Sequence, residues 1–369
     1  MRPTSCIVEL AAIAKNVRTL AAIVSPTPIC AVVKADGYGH GAVQSAQAAL
    51  KGGATWLAVA LVEEGVELRD AGLSCPILIL SEPPIGAMDV VVGQKLTPTI
   101  YSQAGLDALD SAAGDAGVVA EAHLGVDSGM GRVGVQVDEI TQFVDSATER
   151  QNISLTAVWT HCPVADEPDN PFTAAQLEQF GGAVGDLVAG GMGVHVANSA
   201  TAITGQASAA GPPMMVRYGI SIYGIAPDDA LADVVELQPA LSVQSEVSFV
   251  KKIAAGTPVG YGHHWTSNRD TTIATVPIGY ADGIRRDRAF RGGTVLIGGT
   301  HHPIVGVVTM DQMMIDVGPD AEVAVGDEVV VIGRQGTSEI LVSSIAAELD
   351  TISYEVVCGL NKRIPRLYV

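Results

Sequence analysis

Lys34 stands where a lysine can act as a nucleophile. It closes the apolar run Ile29–Val33 and is followed by Ala-Asp-Gly-Tyr-Gly-His-Gly. At the C-terminal end of a barrel strand, such a lysine faces the open mouth where barrel enzymes carry out chemistry. A partly desolvated amine there loses proton affinity and gains nucleophilicity. The glycine-rich loop after it reads as a place where backbone approaches a ligand closely. Lys15, Lys51, Lys95, Lys251, Lys252 and Lys362 fall in helical or loop contexts and read as solvated. The adjacent histidines His263–His264 and His301–His302 would point to opposite faces of a strand. No carboxylate or cysteine pattern joins them, so no metal is expected. Met214–Met215 and Met313–Met314 read as packing.

The elements needed to hold such a lysine are visible around it. Apolar runs at Ile29–Val33, Trp56–Ala60, Ile77–Leu80, Thr97–Tyr101, Val118–Val126, Leu155–Thr160, Val194–Ala197 and Met214–Tyr218 predict strands. Helical patterns lie at Leu10–Val24, Gly41–Leu50, Val62–Ala71 and Ala174–Val188. Repeated strand–helix alternation predicts a parallel sheet with helices outside, and eight strands would close a TIM-like (β/α)8 barrel. The texture changes near Ala226–Ala240. Strand-like segments then dominate, at Leu241–Ile253, Thr271–Ile278, Thr294–Ile297, Ile304–Val308, Met313–Val317 and Glu328–Ile332, with a helix at Val342–Leu349. The expected division is an α/β barrel over residues 10–230 and a mainly β domain over 231–369, with residues 1–9 packed on the latter.

Composition narrows the function classes. The chain of 369 residues is 48% hydrophobic and 17% charged, enough core material to exclude general disorder. Only 4% is aromatic, so the core must be built mainly from Ala, Val, Ile and Leu. A net charge of −19 argues against nucleic acid and anionic membranes as partners. The five cysteines are scattered without a CxxC pair, which reads as reduced thiols in a cytoplasmic protein. The opening MRPTSCIVEL shows no secretory h-region. Runs such as Val118–Ala122 are too short to span a bilayer.

The segment AVVKADGYGHGA strongly resembles the pyridoxal-phosphate signature of alanine racemases. Further motifs follow in family order: DSGMGRVG (Asp127–Gly134), WTH (Trp159–His161), ANSA (Ala197–Ala200), RYGISIYG (Arg217–Gly224), GYG (Gly260–Gly262), IGYADG (Ile278–Gly283), MDQMMIDV (Met310–Val317) and YEVVCGLNKRIPR (Tyr354–Arg366). The resemblance covers roughly residues 5–369. It implies an α/β barrel followed by a β domain, and a head-to-tail homodimer with shared active sites.

It also implies roles. Lys34 would form an aldimine with pyridoxal 5'-phosphate. Lys34 and Tyr261 would be the catalytic bases on opposite faces of a small amino-acid substrate, Tyr261 coming from the other subunit. Tyr38, Ser199, Tyr354 and the backbone of Gly219 and Ile220 would hold the phosphate, with Asn198 and His161 also at the cofactor. Arg217 would contact the pyridine nitrogen, where a permanent positive charge disfavours protonation. Arg132, Met310 and Asp311 would serve the substrate, and Asp166 and Tyr280 would lie around its entry channel. The implied activity is interconversion of L- and D-alanine for peptidoglycan. The alternatives are a serine or broader-specificity racemase, or a non-catalytic pyridoxal-phosphate-binding protein; the latter kind lacks a C-terminal β domain.

One position departs from the family. Members commonly carry a carbamylated lysine where this chain has Gly125, in Leu124-Gly125-Val126-Asp127. That lysine's negative charge positions the arginine equivalent to Arg132. The expectation is that an anion such as chloride, or water with a neighbouring side chain, fills the space, because an unpaired buried charge is costly.

Overall fold

The computed structural model describes residues 2–206 and 208–369. The chain divides into two compact units: Ala11–Gly37 with Ala42–Gln238, and Met1–Leu10 with Tyr38–Gly41 and Pro239–Val369.

The first unit is a barrel. Its strands are Ile29–Val32, Trp56–Val59, Ile77–Ile79, Thr97–Ile100, Ala120–Asp127, Ile153–Trp159, Gly193–His195 and Val216–Tyr218. They pair in parallel in that order, with Val216–Tyr218 returning to Ile29–Val32. The ladder stops between Gly193–His195 and Val216–Tyr218. Two backbone bonds span the gap, Met214 N–H to Val194 O at 2.7 Å and Arg217 N–H to Ala197 O at 3.0 Å. Strands buried on both faces need no polar alternation, and Ile29–Val32 and Ile77–Ile79 are buried throughout. Outside, Leu10–Val24 turns Ile13, Val17 and Leu20 inward at helical spacing. Helices Gln103–Asp115 and Ile140–Thr148 were not anticipated from the sequence. The first contains Gly105 and Gly114, which weaken its helical signal in the sequence.

The second unit is a mainly antiparallel sheet. Its order is Phe249–Ile253, Thr271–Val276, Met313–Gly318, Thr300–Val305, Thr294–Ile297, Glu328–Gln335, Leu241–Glu246, Ser5–Val8 and Arg366–Tyr368. Leu241–Ile253, read from sequence as one strand, is two, separated by Val247–Ser248. Ser5–Val8 runs antiparallel to Leu241–Glu246 and parallel to Arg366–Tyr368. Helix Val342–Leu349 packs with a second helix, Ser353–Cys358, absent from the sequence reading.

Arg288 is 2% exposed in this unit. Its Nε lies 3.2 Å from Glu348 Oε1, and its Nη2 donates to Thr294 O at 3.1 Å. Burial pulls the Arg288 pKa down, opposed by Glu348, and burial pushes the Glu348 carboxyl up. Removing one member of such a pair strands the other charge, which costs about 3–5 kcal/mol, whereas an apolar replacement of both is often neutral. Glu348→Ala should therefore lower the urea midpoint strongly, and Arg288→Met/Glu348→Leu should recover most of the loss. A double variant no better than Glu348→Ala would contradict this account.

Candidate active site

Lys34 begins an unusual turn. Ala35, Asp36 and Gly37 all have left-handed backbone angles (φ 52, 54 and 60°), and Tyr38 follows at φ 53°. For residues with a Cβ this conformation costs roughly 1–2 kcal/mol each, so other bonds must hold it. Gly37 N–H donates to Val33 O at 2.9 Å, and Ala42 N–H donates to Asp36 Oδ1 at 3.1 Å. Ala35 N–H donates to Glu64 Oε1 at 2.7 Å. The other Glu64 oxygen accepts from Ala60 N–H at 2.8 Å and Leu61 N–H at 3.1 Å. One carboxylate thus ties the lysine turn to the end of the neighbouring strand. Sequence reasoning missed Glu64 because Leu61, three residues before it, is not a capping residue type.

The glycines of this loop do not open backbone to a ligand, contrary to the sequence reading. A Cβ on Gly37 would meet Ser45 Oγ at 3.0 Å. In the β unit, one on Gly39 would lie 2.3 Å from Val357 O, and one on Gly41 would strike the Tyr368 hydroxyl. Protein occupies all three places.

The barrel brings Lys34, Arg132, His161, Asn198, Ser199, Arg217, Gly219 and Ile220 to the ends of its strands and the loops after them. Asn198 caps the short helix Ser199–Ile203: its Oδ1 accepts from Thr201 N–H at 3.0 Å, and its Nδ2 donates to Cys162 O at 3.1 Å. Its amide thereby sets the position of Ser199, whose Oγ accepts from Gly219 N–H at 3.0 Å. Burial, with Arg217, Arg132 and Lys34 adding positive charge, pushes His161 down to about 3. The imidazole therefore remains neutral at ordinary pH.

Arg217 is 3% exposed and sits with its Cζ 4.7 Å from the Trp159 ring centre. Nη1 bonds to His195 Nδ1 at 2.7 Å and His195 O at 2.9 Å. Nη2 donates to Thr160 O at 2.9 Å and Val196 O at 3.1 Å. Four of its five N–H groups are thus committed. Among the described residues, Nε–H has no acceptor. Burial lowers the Arg217 pKa to about 10, so the group stays charged at neutrality.

The β unit holds the remaining candidates. Tyr38 and Tyr354 lie with ring centres 6.1 Å apart. Tyr280 N–H donates to Thr309 O at 2.9 Å and Ala281 N–H to Met310 O at 3.0 Å, so Tyr280 and Met310 share one loop pair. Tyr261, Met310 and Tyr280 are 74, 52 and 42% exposed. Asp311 pairs with Arg363 at 2.8 Å. The histidine pairs have protein neighbours: His264 meets Phe290 edge-on, and His301 Nδ1 lies 3.1 Å from Thr294 Oγ1. No cluster of metal-binding residues occurs among the described residues. Asp166 in the barrel is half-buried, and burial pushes its carboxyl upward.

Around Gly125 the space is already largely taken. A Cβ there would lie 2.8 Å from Thr99 Cγ2, and Trp159 Nε1 donates to Thr99 Oγ1 at 3.2 Å. The remaining cavity, lined also by Tyr101, Arg132 and His161, measures about 10 Å³, roughly the room for one water. Arg132 is exposed, so the expectation of a buried charge needing compensation does not apply within this chain.

A parallel eight-stranded barrel with a lysine and a sealed arginine at its mouth, continued by a mainly antiparallel β unit, defines a class of two-domain barrel enzymes. Residues 8–227 match the family described as alanine racemase, N-terminal domain, and residues 240–368 match alanine racemase, C-terminal domain. An alanine racemase from Symbiobacterium thermophilum is 43% identical over 368 residues, spanning 100% of this chain and 97% of the relative. The alanine racemase structure from Clostridium difficile 630 aligns with a TM-score of 0.93 at 35% identity, over 100% of this chain and 96% of that one. A histidine racemase from Leuconostoc mesenteroides aligns with a TM-score of 0.90 at 26% identity, over 100% and 98%. The chain belongs to the alanine racemase family.

Two outcomes follow from this geometry. Gly125→Lys should cost about 1–3 kcal/mol through its clash with Thr99, and Thr99→Ala should return part of that loss; Gly125→Lys with an unchanged urea midpoint would refute the packing account. Secondly, burial holds His123 at about 3 and His195 well below the ordinary 6.5. As pH falls below 6.5 the unfolded chain binds protons that these folded-state rings refuse. Their contribution is thus intact above 6.5 and lost toward the folded values, by about 1.4 kcal/mol per pH unit for each ring. Urea unfolding from pH 7 to 4 should show that slope, and replacing both histidines by neutral residues should shrink it.

Proposed function

We propose that this protein interconverts L- and D-alanine with pyridoxal 5'-phosphate, in a two-base reaction supplying D-alanine to peptidoglycan. The observation that supports the reading best is Arg217: a guanidinium fixed by four bonds at the barrel mouth, with one N–H lacking an acceptor. That donor suits a ring nitrogen, and its permanent charge suits an unprotonated one. Ser199 with Gly219, and Tyr38 with Tyr354, suit a phosphate. When bound, the cofactor supplies the electron sink that makes a Cα proton removable.

The chain's own residues then divide the work. Lys34 holds the cofactor and its Nζ moves the proton on one face of the substrate. Tyr261 Oη moves the proton on the other face. Arg132 would stand beside this tyrosine and serve the substrate. Ile220 would offer its backbone N–H to the phosphate, and the Gly219 N–H, which bonds to Ser199 Oγ, would orient that hydroxyl toward it, with Asn198 and His161 supporting this side of the site. Met310 and Asp311 would receive the substrate carboxylate, and Asp166 and Tyr280 would line the entrance. The exposure of Tyr261, Tyr280 and Met310 fits a homodimer in which each β unit completes the partner's site. Among the described residues no helix is long and apolar enough to cross a membrane, and the reading places the enzyme in the cytoplasm.

Incubation with L- and D-alanine, both serines and both histidines in deuterated water tests the reading. Cα deuteration with loss of chirality is expected, fastest for alanine. The histidines are included because a histidine racemase shares the fold. Faster turnover of another amino acid would reassign the substrate, and cofactor binding without exchange would leave a binding protein. Mixing Lys34→Ala and Tyr261→Phe subunits should restore part of the activity, since one site per heterodimer is intact.

A further inference from the structure

His123 and His195 lie inside the barrel, both 0% exposed. Their ring centres are 5.0 Å apart, His195 stacks on Trp159 at 5.7 Å, and His123 tilts against Trp56 at 5.6 Å. His195 Nε2 is 3.0 Å from His123 Nδ1, and His195 Nδ1 is 2.7 Å from Arg217 Nη1.

These contacts fix every proton in the string. A guanidinium only donates, so His195 Nδ1 carries the lone pair and the His195 proton sits on Nε2. That proton points at His123 Nδ1, which must accept it. The His123 proton is then on Nε2, where no partner is found among the described residues. The reverse tautomers would aim an N–H of His195 at an N–H of Arg217. A buried unpaired donor costs about 1–3 kcal/mol, and the string tolerates that cost at its far end. The groups facing the pair from neighbouring strands leave Arg217 as the one charge: burial holds the Cys30 thiol at about 12 and raises that of Cys162, and His161 stays neutral.

We propose that His123 is a positioning residue: by accepting from His195 it locks the tautomer that holds Arg217 Nη1, and so aims Arg217 Nε–H at the cofactor ring. What Arg217 faces rests on the proposed function; the tautomer lock does not.

The full chain labelled with 15N-histidine, with and without pyridoxal phosphate, provides the test. Long-range 1H–15N spectra should show both rings protonated on Nε2 in either state. His123→Asn places a carbonyl near the position of Nδ1 and should leave His195 in that tautomer. His123→Leu removes the acceptor, and His195 should become a tautomer mixture. Pyridoxal-phosphate binding should weaken roughly tenfold in the Leu variant and about twofold or less in the Asn variant. The Leu variant should lower kcat for alanine while KM stays within about twofold. Should His123→Leu fail to fold, His123→Gln, whose carbonyl reaches past Nδ1, should behave as described for Leu. A wild-type His195 protonated on Nδ1, or Asn and Leu variants that behave alike, would overturn the proposal. Absent racemisation with the tautomers locked as described would count against the proposed activity and leave the lock standing.

Discussion

Arg217 keeps its charge inside a barrel lined by apolar and neutral groups, and fixed dipoles must do there what water does at a surface. The carbonyls of Thr160, His195 and Val196 and the ring nitrogen of His195 meet that demand. They come from the two strand ends preceding Arg217 in the barrel, beside the place where the ladder is interrupted. The cation therefore helps close the barrel as well as furnishing its mouth. Its surroundings yield in turn: thiols nearby are held protonated and histidines neutral.

Much of this was legible in the sequence, for a physical reason. Strand ends in a parallel barrel converge on one face, so Lys34, Arg132, His161, Ser199 and Arg217 are assigned to a common side by sequence alone. His123 and His195 could not. They sit within strand runs, Ala120–Asp127 and Gly193–His195, and a histidine at an inward position reads as ordinary core. Only the folded barrel, in which Ile153–Trp159 runs between their two strands, shows that the rings touch. Glu64 was hidden for a similar reason, since three of its contacts are to backbone N–H groups and leave no mark on residue type.

The glycines show the opposite error, in which residue type was noticed and its cause misassigned. Gly39 and Gly41 do mark close approach, but to the Val357 carbonyl and the Tyr368 ring. Spacing reveals that something comes near and cannot say what. At Gly125 the absent side chain has its counterpart in Thr99 and Trp159, a compensation written in other strands and invisible in the local motif.

The pairing of Ser5–Val8 with Arg366–Tyr368 has a consequence for synthesis of the chain. Every strand of the barrel has left the ribosome soon after Gln238, so that unit can assemble while translation continues. The β sheet has no such freedom. Ser5–Val8 can meet Leu241–Glu246 only after the whole barrel has emerged, and its other edge waits for residues 366–368. Such distant contacts form late because closing a long loop costs entropy before any bond repays it. During that interval an early, largely apolar strand stands with unsatisfied backbone groups, a natural target for a chaperone.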